Sequence, residues 1–156
     1  MNTIHELIAG HPFFEGTPSA HVDILAVGAR EQVIPAGQVL FRQGEPANRF
    51  YLIESGRVVV EETPPGGSAR LVEILTTGDA LGWSWLFPPF SWHFQARALE
   101  PTRVIALDGG HLMVTAEENH EFGYHLLRRV SRVVIRRLQA TRQQFLQTRE
   151  TASKQP

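Results

Sequence analysis

Two different apolar periods divide this chain. At the start, Thr3-x-x-Glu6 stands before a short apolar run. It reads as a capping box, in which the threonine oxygen takes a backbone N–H of the first turn, and the helix it opens is expected to stop at Gly10. Thr17-Pro18 reads as an N-cap followed by proline at the first helical position, where no N–H is needed. That second helix is expected to run to about residue 28 or 29, with Val22, Leu25 and Ala26 on one face. From Glu31 the period shortens. Apolar runs at 32–34, 39–41, 50–53, 58–62, 71–75, 94–98 and 104–107 are separated by turn signals such as Pro35-Ala36-Gly37, Gly44-Glu45-Pro46, Ser55-Gly56 and Thr77-Gly78-Asp79. Short strands at this spacing predict a small antiparallel sandwich or barrel. Pro64-Pro65-Gly66-Gly67 is expected to form a mobile hairpin tip.

After Asp108 the helical period returns. Asp108 is expected to cap a helix over 109–118, and Asn119 a longer one over 120–148. On the longer helix Leu126, Val130 and Val133 form a stripe suited to packing on the barrel. Beside it Leu127, Ser131, Val134, Leu138, Thr141, Phe145 and Thr148 follow in steps of four and three, a coiled-coil seam weakened by its hydroxyl residues. A homodimer is therefore expected through Leu127, Val134, Leu138, Thr141 and Phe145. The resulting division is an N-terminal helical segment (1–30), a barrel (31–108), C-terminal helices (109–149) and a disordered tail (150–156).

Composition narrows the function. At 156 residues the chain is long enough for one real core, and a net charge of -1 gives no overall pull toward nucleic acid or membrane. It has no cysteine, which removes disulfides, thiolate catalysis and cysteine-held metals and fits a cytoplasmic location. Residues 1–10 contain Glu6 and lack the basic-then-apolar order of a signal peptide, and no apolar stretch approaches the roughly 20 residues that span a bilayer. No serine, histidine and aspartate fall at catalytic spacing, and no phosphate-binding P-loop appears. His93 has no histidine one residue away, while His111, His120 and His125 fall on predicted helices, so neither catalysis nor a metal site is expected.

The segment Leu75-Thr-Thr-Gly-Asp-Ala-Leu-Gly-Trp-Ser-Trp85, followed by Arg97-Ala98, resembles the phosphate-binding cassette of cyclic-nucleotide-binding domains. Gly78-Asp79, Gly82, a short turn and a returning strand give its frame. Ile34-Pro-Ala-Gly37 with Val39-Leu-Phe-Arg-Gln-Gly-Glu45 resembles the first hairpin of the same fold. Phe50-Tyr-Leu-Ile-Glu-Ser-Gly-Arg-Val58 resembles its central strand, and Arg136-Arg-Leu-Gln-Ala-Thr141 its long helix. Together, over about residues 13–145, they resemble the sensory half of the Crp/Fnr superfamily. The resemblance implies a mainly β fold with flanking helices. It would be a double-stranded β-helix (jelly-roll) barrel with short N-terminal helices and a long C-terminal helix that dimerises and closes over a ligand. It implies a non-enzymatic regulatory module with a cyclic nucleotide as ligand and no other cofactor. Crp-type regulators continue into a helix-turn-helix, for which this sequence leaves no room after the long helix, so no DNA binding by this chain alone is expected. Arg128, Arg129, Arg132, Arg136, Arg137 and Arg142 read as a solvated dimer-helix face.

The sequence departs from the family pattern at two places. Trp83 stands where the family carries a glutamate for the ribose hydroxyl, and Trp92 where it carries the phosphate arginine. Indole is a donor only, so Trp83 cannot replace the glutamate; it is expected to fill the vacated pocket. Gly82 still permits close backbone approach, Ser84 offers a hydroxyl, and His93 offers a charge when protonated. Thr141 stands where cAMP-responsive relatives present a threonine to the purine amine; the other reading is a polar residue tolerated in the seam. Arg142 either reaches the ligand or is solvated. The candidate ligand-binding set is Gly82, Trp83, Ser84, Trp85, Trp92, His93, Arg97, Thr141 and Arg142. A lost charge-assisted hydrogen bond costs roughly 1.5–3 kcal/mol. With the ribose acceptor gone as well, cyclic AMP is expected to bind about a hundredfold or more weaker than at an intact site. Restoring glutamate at 83 and arginine at 92 is expected to strengthen binding if the loop still folds. Two functions follow: a sensor of a weakly held cyclic nucleotide or another small ligand, or an interaction subunit that docks on an enzyme complex through the aromatic run of residues 83–94. An indole plugging the space beside Gly82, with aromatic side chains exposed, favours the second.

Overall fold

The computed structural model describes residues 2–153, with side chains through 149. Helix α1 (Ile4–Ala9) opens with the Thr3 oxygen accepting the Glu6 N–H at 3.2 Å and ends at Gly10. A 3-10 turn, Pro12–Phe14, follows; no sequence period announces so short an element. Helix α2 spans Ser19–Ala26, with Val22, Leu25 and Ala26 buried. Its start differs from the expectation. Pro18 itself is the N-cap, extended at ψ 149°, which leaves Thr17 one residue outside the helix. The Thr17 hydroxyl is buried with no hydrogen-bond partner. The helix also ends before residue 28, because Val27 is extended and Gly28, at φ +73°, turns the chain into the first strand.

Eight strands follow: β1 (Arg30–Ile34), β2 (Val39–Phe41), β3 (Arg49–Ser55), β4 (Arg57–Glu62), β5 (Arg70–Thr76), β6 (Ala80–Leu81), β7 (Gln95–Ala98) and β8 (Thr102–Asp108). They form two four-stranded antiparallel sheets, ordered β1-β8-β3-β6 and β2-β7-β4-β5. This is the expected jelly roll with flanking helices. Only β6 has no counterpart among the sequence runs, since two residues carry no period. Phe50, Leu52 and Ile53 of β3, Val58 and Val60 of β4, and the 104–107 run of β8 are buried in one core. The β3–β4 turn needs glycine at 56: φ is +107°, and a Cβ there would lie 2.7 Å from the Thr102 Cα.

Asp108 caps α3 (Gly109–Glu118) through the His111 N–H at 3.1 Å, and Asn119 caps α4 (His120–Ser153) through the Phe122 N–H at 3.1 Å. Leu126, Val130 and Val133 are buried under α4, which packs on β5. The helix continues to Ser153, past the tail boundary expected at 150, because no glycine or proline interrupts it. Residues 154–156, the rest of that tail, lie outside the described residues.

One acidic pair on the first sheet sets a pH dependence. Burial, then the hydrogen bond and charge of Glu31, push the Glu54 carboxyl up to about 7, against the pull of Arg103. The folded state therefore holds a proton that the unfolded chain releases near its ordinary value. Stability from Glu54 is present below that value and is lost as pH rises toward about 7. His11 acts oppositely over part of this range: burial lowers its pKa, and its ring bonds the Ile53 carbonyl at 2.8 Å. The comparison with Glu54→Gln separates the two. The gap in melting temperature between wild type and Glu54→Gln is expected to move against wild type between pH 5 and pH 7.5. A gap that stays constant over that range would remove the Glu54 contribution.

Candidate functional site

The loop between β6 and β7 is held down by the chain's first hairpin. The Trp92 carbonyl accepts from Gly44 at 2.8 Å, the Trp92 N–H donates to the Glu45 carbonyl at 2.9 Å, and Ala47 donates to the Phe90 carbonyl at 2.7 Å. This ladder turns Trp92 inward. Its indole is 5% exposed and stacks on Phe41 at 3.7 Å between ring centres and 12° between planes. It lies so close to Gly82 that a Cβ there would sit 2.8 Å from the ring. Gly82, at φ +96°, is thus required by its backbone and by its neighbour. The space beside the turn is filled by Trp92.

That corrects the expectation for Trp83. It lies half-buried, stacked on the exposed His93 ring at 4.8 Å and near Phe87, and it does not fill the pocket. The difference is long-range: the backbone ladder to residues 44–47 decides which indole turns in. Trp85 is a core residue at 2% exposure, packed on Phe50, and its indole N–H donates to the Gly82 carbonyl at 3.2 Å. A ligand cannot reach it. The Ser84 hydroxyl is 3.0 Å from His93 Nδ1, and Arg97 is paired with Glu61 at 3.1 Å. Each polar candidate on the loop already has a partner in the chain.

Thr141 and Arg142 are exposed on α4. Leu127, Leu138 and Phe145 are exposed at 48%, 67% and 64%, and Val134 is half-buried, so the seam expected at the dimer lies uncovered in the single chain.

Sequence reasoning missed the charged pair under α4. Arg137 and Glu73 are both buried, with Nε and Oε2 3.4 Å apart, and neither of these two atoms has a hydrogen bond. The Arg137 guanidinium lies over the Phe94 ring at 4.4 Å. Burial lowers its pKa and Glu73 opposes the shift. Next to it Arg136 donates to Asp79 at 2.8 Å, which ties the helix to the Gly78-Asp79 turn of the cassette itself. The signal was present, since Arg137 continues Leu126–Val130–Val133 by a further step of four. Phe87 and Phe90 remain 40% and 36% exposed at the loop tip.

Chemically, two of the polar side chains expected to meet a ligand are already engaged, Ser84 by His93 and Arg97 by Glu61. Among the described residues no cluster of histidine and carboxylate ligands could hold a metal, and no helix is long and apolar enough to cross a membrane.

Comparisons with known proteins bear on the family and the fold. The family model described as "Cyclic nucleotide-binding domain" matches residues 31–119. The chain is 28% identical over 136 residues to the "CRP-like cAMP-activated global transcriptional regulator" of Mycobacterium tuberculosis, covering 87% of this chain and 59% of that protein. It is 31% identical over 98 residues to the "Cyclic AMP receptor protein" of Thermus thermophilus, covering 63% of this chain and 45% of that one. Of both relatives the chain thus spans less than two thirds. A solved cyclic nucleotide-binding domain from Methylobacillus flagellatus superposes with a TM-score of 0.75 at 19% identity, over 93% of this chain and 82% of that one, a likeness of fold.

Proposed function

We propose that this chain, which belongs to the cyclic nucleotide-binding domain family, is a non-enzymatic regulatory module that acts through protein contacts and holds a cyclic nucleotide only weakly. The observation that carries the reading is Trp92 seated against Gly82, where a phosphodiester would need bare backbone N–H groups. Two further features support it. The missing arginine and glutamate are not replaced by neighbours, because Arg97, Ser84 and Arg137 are engaged elsewhere. Phe87 and Phe90 stand exposed at the loop tip, which favours docking by the aromatic loop over sensing by the crevice. Calorimetry with cyclic AMP and cyclic GMP tests it. Both are expected to bind at least about a hundredfold weaker than at an intact site. A sub-micromolar dissociation constant for either would restore the sensor reading.

The same reading includes a homodimer through α4. Val134→Glu with Leu138→Glu places two carboxylates in the apolar seam and is expected to give a folded monomer. Light scattering checks this, and a wild type already monomeric at high micromolar concentration would defeat it.

A further inference from the structure

A cavity of about 210 Å³ lies apart from the cassette, between the residue 16–18 turn, the first turn of α2 and the N-terminal half of α4. Its walls are apolar where Phe14, Phe122 and Leu126 face it, and polar where Thr17, His21, His125 and Arg129 do. Three facts about the polar side point to a ligand. His21 is only 7% exposed, yet among the described residues its ring makes contacts with Phe122 at 5.5 Å and His125 at 5.9 Å and no hydrogen bond. The Thr17 hydroxyl is buried without a partner, and α2 starts with no side-chain cap. A buried polar group without a partner costs stability, so the Thr17 hydroxyl and the His21 ring beside it mark a cavity whose occupant would offer them partners.

The charge selects the occupant. Arg129 donates to the Phe13 carbonyl at 2.6 Å and the Glu15 carbonyl at 2.9 Å, which uses two of its five N–H groups and fixes the guanidinium in place. No carboxylate lines the cavity, so a fixed cation stands without a countercharge there. A divalent metal would meet that cation and find only two imidazoles. A carboxylate would accept from Arg129, Thr17 and His21 together, with its apolar body on the phenylalanine rings. A cavity of about 150 Å³ holds benzene, so this one takes a body of about that size. We propose that the cavity bounded by Thr17, His21, His125 and Arg129 binds a small organic carboxylate with an apolar body, at a site separate from the nucleotide cassette.

Sodium benzoate is the probe, titrated into ¹⁵N-labelled protein and followed by amide shifts. Saturable shifts are expected within residues 14–21 and 122–129, with the neutral isostere benzamide weaker by about tenfold or more, the loss of a charged hydrogen-bonding partner. His21→Phe should abolish the benzoate response. His125 is exposed, so His125→Ala keeps the fold and should weaken binding severalfold. Thr17→Val should weaken benzoate binding while raising the melting temperature of the free protein, because it removes a buried unpaired hydroxyl. This result separates a binding role from a structural one. No saturable shift, equal binding of benzamide, or shifts confined to residues 82–94 would overturn the proposal, as would a benzoate affinity unchanged in both His125→Ala and Thr17→Val.

Discussion

Arg137→Met is expected to destabilise the protein by about 3–5 kcal/mol, and Arg137→Met with Glu73→Leu to recover most of that loss. The single change leaves a carboxylate buried under α4 with its cation gone. The double change replaces two desolvated charges by apolar side chains of similar length against Phe94, which lies under Arg137 already. An ion pair at 3.4 Å without a well-formed hydrogen bond regains little of its desolvation cost, so the pair contributes position more than stability. It fixes where α4 crosses β5, and through the adjacent Arg136–Asp79 bond it ties that crossing to the Gly78-Asp79 turn of the cassette. Chemical denaturation of the two single variants and the double variant measures the coupling. Single-variant losses within about 0.5 kcal/mol, the range of ordinary surface substitutions, would show that the pair is solvated in solution.

The fold was legible because its elements carry their own period and punctuation. The strands at 39–41 and 50–53 follow from apolar runs between Gly/Pro turns, and the caps at Thr3, Asp108 and Asn119 follow from side-chain chemistry alone. Three details escaped. The α2 cap moved because Pro18 took an extended conformation; β6 escaped because two residues have no period; Trp83 and Trp92 exchanged roles because a backbone ladder to residues 44–47 chooses the inward indole. The last is decided by contacts between segments distant in sequence. Arg137 is the instructive case. Its helical position pointed inward, but an arginine on a charged helix reads as solvated until a buried Glu73 is known to face it. The candidate ligand set was legible by position along the chain and not by state: the sequence places Ser84, His93 and Arg97 near the turn, and only the folded structure shows them already partnered.

Trp83→Glu with Trp92→Arg is expected to lose stability without gaining affinity for a cyclic nucleotide, contrary to the restoration that the sequence alone suggests. Removing the Trp92 indole takes away its stack on Phe41 and its contact with Tyr51, and core tryptophan truncations cost about 3–5 kcal/mol. An arginine in that place adds an unpaired charge at a buried position, so the loop would have to leave the 44–47 ladder to hydrate it. Trp83→Glu alone should be benign for folding, since Trp83 is half-buried on an exposed histidine. That single variant still lacks an arginine at position 92, and Arg97 is held by Glu61. Denaturation followed by calorimetry with cyclic AMP distinguishes the outcomes. A folded double variant that binds cyclic AMP tenfold or more tightly than wild type would mean that the two side chains were the whole barrier. A destabilised double variant beside a stable, non-binding Trp83→Glu would place the barrier in the packing of Trp92 on Gly82, where the geometry puts it.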